Sequence, residues 1–203
     1  EIPVLGLYYN FDNEIYIEFI GADQSVFRDT FNIPIGNPPG YLPELIVDIA
    51  ELEEMEPGMN FISYRSKSNP TVPFMTDAEG EVRYVLDFSL HPDLSTLNYD
   101  VGMERLQNGN LYFGAWPTSD LYEVDVLGRL INHWVIPGHS FHHNIQEKAN
   151  GNFLVTTSKI GDVHGSGKMA LEDHIIEVDR ISGQIINTWD LKKSLDEYRR
   201  TLG

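Results

Sequence analysis

The chain is 203 residues long, carries a formal net charge of -17 and contains no cysteine. The length allows one large domain or two small ones. The charge repels nucleic acid and anionic membrane surfaces, so an anionic substrate would need a locally positive pocket. The lack of cysteine excludes disulfides, thiolate catalysis and cysteine-ligated zinc. No apolar run approaches the ~20 residues of a membrane span, and no signal-peptide pattern is present.

Taken in chain order, strand signals dominate: short runs of Val, Ile, Tyr and Phe are separated by Gly, Asn, Asp and Pro. Residues 1–57 predict strands at Val4–Tyr9, Glu14–Ile20, Thr30–Pro34 and Glu44–Ile49, with a Pro-rich stretch, Asn37–Pro43, between the last two. This pattern reads as part of a small β-sandwich. The acidic residues of Pro43–Glu56 predict at most a helical turn, because Pro57 ends any helix. The domain boundary is expected near Pro57-Gly58, with residues 58–203 forming the second domain.

That second part contains an internal repeat. Gln107-Asn108-Gly109-Asn110-Leu111 matches Ala149-Asn150-Gly151-Asn152-Phe153 at an offset of 42 residues. Leu121-Tyr122-Glu123-Val124-Asp125 matches Ile175-Ile176-Glu177-Val178-Asp179 at an offset of 54, the second copy carrying a longer loop at Ile160–Leu171. Gly128 and Gly183 follow the two Asp residues, and Trp134 and Trp189 lie six residues further on. A degenerate earlier copy, Met59–Phe88, lacks its first strand. Asn-Gly is a strong hairpin signal because both central residues must tolerate positive φ, and the Asp-x-x-Gly segment marks a second tight turn. Each copy therefore predicts four short antiparallel strands, the pattern of a β-propeller blade. The expected fold is all-β: the end of a small β-sandwich (1–57), then about three four-stranded blades of an incomplete propeller (58–203). Leu191–Tyr198 predicts a short helix. Trp134 and Trp189 are expected in blade cores or between blades, and Asp125 and Asp179 are expected to form turns.

Several segments resemble one known family. Phe141-His142-His143-Asn144-Ile145, the turn Asn150-Gly151-Asn152, the stretch Glu172–Asp179 and Ile186-Asn187-Thr188-Trp189-Asp190-Leu191 are similar to the bacterial PAPS-independent arylsulfate sulfotransferases. Residues 2–58 resemble the end of that family's N-terminal immunoglobulin-like domain. The resemblance implies an aryl-sulfate sulfotransferase: a sulfuryl group passes from a phenolic sulfate ester to a phenol through a sulfated histidine, with no metal and no nucleotide cofactor. It implies a six-bladed ring whose nucleophilic histidine, His-x-Asn pair and later Arg lie beyond Gly203. It also implies a periplasmic or secreted protein. An early channel histidine of the family falls on His142 or His143.

The residue chemistry agrees with this. Sulfuryl transfer needs a nucleophile, a proton shuttle and donor groups for the sulfonate oxygens, and imidazole can supply the first two. His142 and His143 stand at the start of a blade's innermost strand, where alternation sends their side chains to opposite faces, so only one can face the channel. His143 is the preferred site residue and His142 the next, since the position matching His143 at an offset of 42 is Val101. The alternative for an isolated His-His pair is a loop pair that satisfies backbone groups. Lys159, at the end of the following strand, is a candidate anion-binding residue, and Tyr99, in the register of Phe141, a candidate to stack on an aryl ring; their plainer roles are a solvated lysine and a packed tyrosine. Gly161–Lys168 is Gly-rich with a Lys, but its spacing and the Met at 169 do not fit a phosphate-binding loop.

Two other functions stand beside this one. A propeller can bind a ligand or protein without catalysis, since the fold licenses no activity by itself. A metal-dependent hydrolase could use His139, His142 and His143 with His164 or Asp162 as further ligands. The expected partners are a phenolic sulfate donor and a phenol acceptor, with no nucleic acid and no membrane. Open strand edges also predict self-association into a homo-oligomer.

Overall fold

A computed structural model of the chain describes residues 2–65, 71–97, 100–116, 118–163 and 174–194. Among the described residues thirteen strands form four antiparallel sheets, and the one short helix is α1 (Leu191–Ser194). No helix among those residues is long and apolar enough to cross a membrane. The chain packs into two compact units, Glu1–Tyr64 with Val72–Leu86, and Arg65–Thr71 with Asp87–Gly203.

The first unit holds two sheets. Strands β1 (Phe11–Ile20) and β2 (Val26–Ile35) form a long hairpin in continuous register from Phe11↔Ile35 to Ile20↔Val26. Buried Asn13 ties the incoming chain to it, accepting from Tyr8 N–H (2.9 Å) and donating to Tyr8 O (3.0 Å). Val4–Tyr9 and Glu44–Ile49, expected as strands, are not strands. Alternation makes a segment fit for a sheet, but a strand exists only where a neighbour completes its ladder. Near Val4–Tyr9 the contact comes instead from the Arg83 guanidinium, which donates to Gly6 O and lies 3.5 Å over the Tyr8 ring. The other sheet is the three-stranded β3 (Asn60–Ile62), β4 (Phe74–Thr76) and β5 (Val82–Val85), closed by a turn in which Gly80 adopts a φ of +82°. It is the degenerate copy read from sequence, with three strands rather than four, and it packs within the first unit.

The second unit holds the two full copies, each an up-and-down sheet of four sequential strands, the form of a propeller blade. One is β6 (Asp100–Arg105), β7 (Leu111–Ala115), β8 (Asp120–Val124) and β9 (Leu130–Val135). The other is β10 (His139–Glu147), β11 (Phe153–Lys159), β12 (His174–Val178) and β13 (Ile185–Asp190). The turn glycines take the predicted left-handed conformation: Gly109 at +92° and Gly151 at +84°. The Asp125 carboxylate accepts from Leu127 and Arg129 N–H, and that of Asp179 from Ser182 N–H, so both Asp residues form turns as expected.

The two sheets share one apolar core, with Leu106, Tyr112, Leu121 and Trp134 of the first facing Ile145, Phe153, Val155, Ile176 and Val178 of the second. Trp134 is 9 % exposed and meets the Phe153 ring edge-on at 5.6 Å. Trp189 holds the matching position on β13 and is 43 % exposed.

A buried carboxylate lies at the centre of each blade. Glu123, 1 % exposed, accepts from the side-chain amides of Asn110 (2.7 Å), Asn132 (2.8 Å) and Asn108 (3.2 Å) and pairs with Arg180 of the next blade at 2.7 Å. Glu177, 3 % exposed, accepts from Asn152 (3.0 Å) and Asn187 (2.9 Å) and pairs with Lys148 at 2.8 Å. Hydrogen bonds from Asn152, Lys148 and Asn187 lower the Glu177 carboxyl to about 2. At Glu123 burial acts to raise the pKa, but the three asparagines and Arg180 outweigh it and the net shift is downward.

Both folded-state values lie below the ordinary unfolded carboxyl value. Their contribution to stability is therefore present above pH ~4.3 and lost as pH falls toward the folded values. Thermal unfolding followed from pH 6 to pH 2 is expected to show Tm falling below about pH 4.5. In Asn152→Ala with Asn187→Ala the folded Glu177 value rises toward the unfolded one, so Tm at neutral pH should be lower and its fall with acid shallower. Arg180→Met leaves Glu123 buried without its cation and is expected to cost about 2 kcal/mol in urea denaturation.

Candidate active site

The site is built on β10, the first strand of its blade. Phe141 pairs with Thr157 and Ile145 with Val155, so His142, His143 and Asn144 together face the single residue Thr156. This is an enlarged β-bulge, in which extra residues on one strand bend it and re-aim its side chains. At its apex His143 has a φ of +56°, in the left-handed region that only a few per cent of non-glycine residues adopt, Asn, Asp and His more often than the rest.

The matching strand of the preceding blade carries a smaller bulge: Val101 pairs with Gly114 and Glu104 with Tyr112. Arg105 and Glu147 hold equivalent places, opposite Leu111 and Phe153. The β10 bulge has one residue more than that of β6, so upstream of it the offset falls from 42 to 41 and the residue answering His143 is Gly102, not Val101. Gly102 has a φ of +58°, the conformation of His143. The same shift places Asp100, not Tyr99, in the register of Phe141. Tyr99 itself lies outside the described residues.

The bulge also removes the expected alternation. Instead of pointing to opposite faces, the His142 and His143 rings touch edge-to-face with centroids 5.2 Å apart. His143 is exposed and His142 half-buried. Lys159 is exposed and lies opposite His139. It lies three positions beyond Thr156, about 10 Å along the strand, so it stands at the same end of the blade as the histidine pair but not beside it.

A second pair of imidazoles lies at that end. Buried His139 shares a hydrogen bond with Thr157 Oγ1 (2.9 Å), and its ring lies 6.1 Å from that of buried His174. Burial, then the nearby His174 and Lys159, push the His139 imidazole below its ordinary value and favour its neutral form. His174 Nε2 lies 4.0 Å from Asp162, whose carboxylate is engaged by Lys192. Sequence reading grouped His139 with His142 and His143 as metal ligands. The structure instead orients His139 toward Thr157 and His174, and no group of three His, Asp or Glu side chains among the described residues converges on a metal position. His164 lies outside the described residues. The role of His174 in this second pair was missed in the sequence; its place at the start of the third strand, next to His139 at the start of the first, follows only once the blade is folded.

Comparison with known proteins places these features in context. Residues 46–203 match the family model described as Arylsulfotransferase (ASST). The chain is 31 % identical over 139 residues to the arylsulfate sulfotransferase AssT of Escherichia coli O6:H1, and 32 % identical over 139 residues to that of Lelliottia amnigena. Each alignment covers 64 % of this chain and 23 % of the relative, so the chain spans about a quarter of the curated proteins it matches. Among solved structures, a protein of unknown function from Bacteroides caccae aligns with a TM-score of 0.41 at 15 % identity, covering 60 % of this chain and 39 % of that one.

A left-handed histidine carries a conformational cost of about 1 kcal/mol that glycine avoids. His143→Gly is expected to leave Tm unchanged or raise it, and His143→Val to lower it, in thermal unfolding monitored by circular dichroism.

Proposed function

The chain belongs to the arylsulfotransferase family, and from that premise we propose that it forms one wall of a sulfuryl-transfer site in which His143, with His142 beside it, contacts the transferring group. The observation that carries this reading is the bulge. It presents two adjacent imidazoles on the first strand of a blade, at a position where the preceding blade uses glycine. A strained histidine at such a position points to a role that outweighs its conformational cost.

The reaction proceeds in two displacements. In the first, a histidine nitrogen outside residues 1–203 attacks the sulfur of a phenolic sulfate; the N–S bond forms, the S–O bond breaks, and the phenolate leaves and takes a proton. In the second, an acceptor phenol loses its proton as its oxygen attacks the same sulfur, and the N–S bond breaks. His143 and His142 serve as N–H donors to the sulfonate oxygens or as the acid and base for the phenol oxygens. Lys159 adds positive charge at the same end of the blade and Tyr99 an aromatic surface for the aryl ring. No metal or nucleotide cofactor takes part. The donor and acceptor are a phenolic sulfate and a phenol, in the periplasm or outside the cell. Residues 1–57 belong to an immunoglobulin-like domain, and copies of the chain associate through open strand edges.

The test is turnover of 4-nitrophenyl sulfate with added phenol by the full gene product, read as release of 4-nitrophenol. His143→Ala is expected to lower kcat/KM about a hundredfold or more, and His142→Ala about tenfold or more, the range for loss of a general acid–base group or sulfonate donor. Absence of turnover on any phenolic sulfate would leave the non-catalytic binding propeller as the better account.

A further inference from the structure

Thr156 has no assigned role, yet it is the one residue the second strand sets opposite the whole bulge. Its hydroxyl oxygen accepts from Asn144 N–H at 3.1 Å, and its hydroxyl hydrogen is within reach of two carbonyls, those of His142 and of Asn144 (3.0 Å to the latter). Where β10 departs from the ladder, one side-chain hydroxyl bonds the backbone on both sides of His143. We infer that Thr156 is a positioning residue for the histidine pair: it holds the three-residue bulge in the single conformation that gives His143 its positive φ and sets the His142 ring against it.

The preceding blade presses on the same backbone from the other side. A Cβ on Gly102 would lie 2.6 Å from Ile145 N and 3.1 Å from Asn144 Cα and C. A Cβ on Gly114 would lie 2.9 Å from Phe141 Cδ2 and 3.1 Å from Ile145 Cδ1, the residues flanking the bulge. Gly114 is also the counterpart of Thr156 at the offset of 42, paired with Val101 at the edge of the smaller bulge of β6. The hydroxyl thus appears only in the blade with the histidines, and the neighbouring blade has glycine where a side chain would displace them. The bulge is gripped between a hydrogen-bonding clamp on β11 and two close backbone approaches on β6 and β7.

This inference rests on the reading of His142 and His143 as site residues, and the experiment separates the two. Thr156→Val keeps the shape and removes the hydroxyl; Thr156→Ser keeps the hydroxyl; Ile176→Val, on β12 and outside the bulge, is a destabilised control in the shared core. In the full gene product, Thr156→Val is expected to lower kcat about tenfold or more with KM changed less than about threefold, as a small misplacement of a reacting group does. Thr156→Ser and Ile176→Val are expected to stay within about threefold of wild type. The ring Cε1–H resonances of His142 and His143 should shift in Thr156→Val and not in the other two. Gly102→Ala displaces the same backbone with the hydroxyl in place and should reproduce the loss of kcat and the resonance shifts, which keeps the test intact if Thr156→Val fails to fold. Unchanged resonances and kcat in Thr156→Val, or a loss of kcat in Ile176→Val equal to that in Thr156→Val, overturns the positioning role. If the wild type turns over no phenolic sulfate, the functional reading fails, and the resonances alone decide whether Thr156 holds the pair.

Discussion

A carboxylate buried at the centre of each blade sets the terms for the rest of this unit. An ion withdrawn from water costs several kcal/mol unless its lone pairs are matched, so Glu123 and Glu177 are tolerable only because side-chain amides converge on them. Those amides come from fixed places: the Asn after the turn glycine, and an Asn on the fourth strand. The Asn-Gly-Asn turn therefore has two functions, reversing the chain through a glycine of positive φ and delivering a donor to the third strand. Arg180 extends the constraint between blades, reaching from the second sheet to Glu123 and Glu147 of its surroundings at 2.7 and 3.3 Å. Once these bonds and the shared apolar core have fixed how the two sheets meet, β6 and β10 are pressed side by side, and the space left for the histidine bulge is set by Gly102 and Gly114.

The same economy shapes the electrostatics. In a chain of net charge -17, Arg180, Lys148, Lys192, Arg129 and Arg83 are each paired with a carboxylate. Cations spent on the scaffold do little for a sulfonate. What the site region adds from this chain is the pair of adjacent imidazoles of His142 and His143, with Lys159 at the same end of the blade.

The blades were legible in the sequence because their constraints recur. Asn108-Gly109-Asn110 and Asn150-Gly151-Asn152, Glu123 and Glu177, and Asp125 and Asp179 are each required by a hydrogen bond or a φ angle in every copy, so the repeat survives as residue identity. Segments such as Val4–Tyr9 and Glu44–Ile49 misled for the opposite reason: their alternation is real, but strand formation depends on a partner that no local pattern specifies. The site was half legible. His142 and His143 stood out, whereas their arrangement did not, because one inserted residue changes the offset within a strand without leaving a mark in a comparison of flanking motifs. Matching His143 to Val101 instead of Gly102 hid the strain that makes the position informative. Thr156 was invisible as well, since a threonine in a strand is ordinary until the strand opposite it has bulged.

That bulge also changes what the histidine pair can do. In a regular strand two consecutive side chains face opposite ways, and a His-His sequence would place one imidazole in the site and lose the other to the blade. Reversing φ at His143 undoes this: the two rings come into contact on one stretch of backbone. The cost is borne by a left-handed histidine and by backbone groups that leave the ladder; Thr156 answers the second and the glycines of the neighbouring blade make room for the first. In the sulfuryl transfer proposed for this wall, two imidazoles in contact divide roles that a single one would have to combine, one donating to a sulfonate oxygen while the other handles a phenol proton. A regular strand can carry the same sequence, but it cannot bring the two rings into contact.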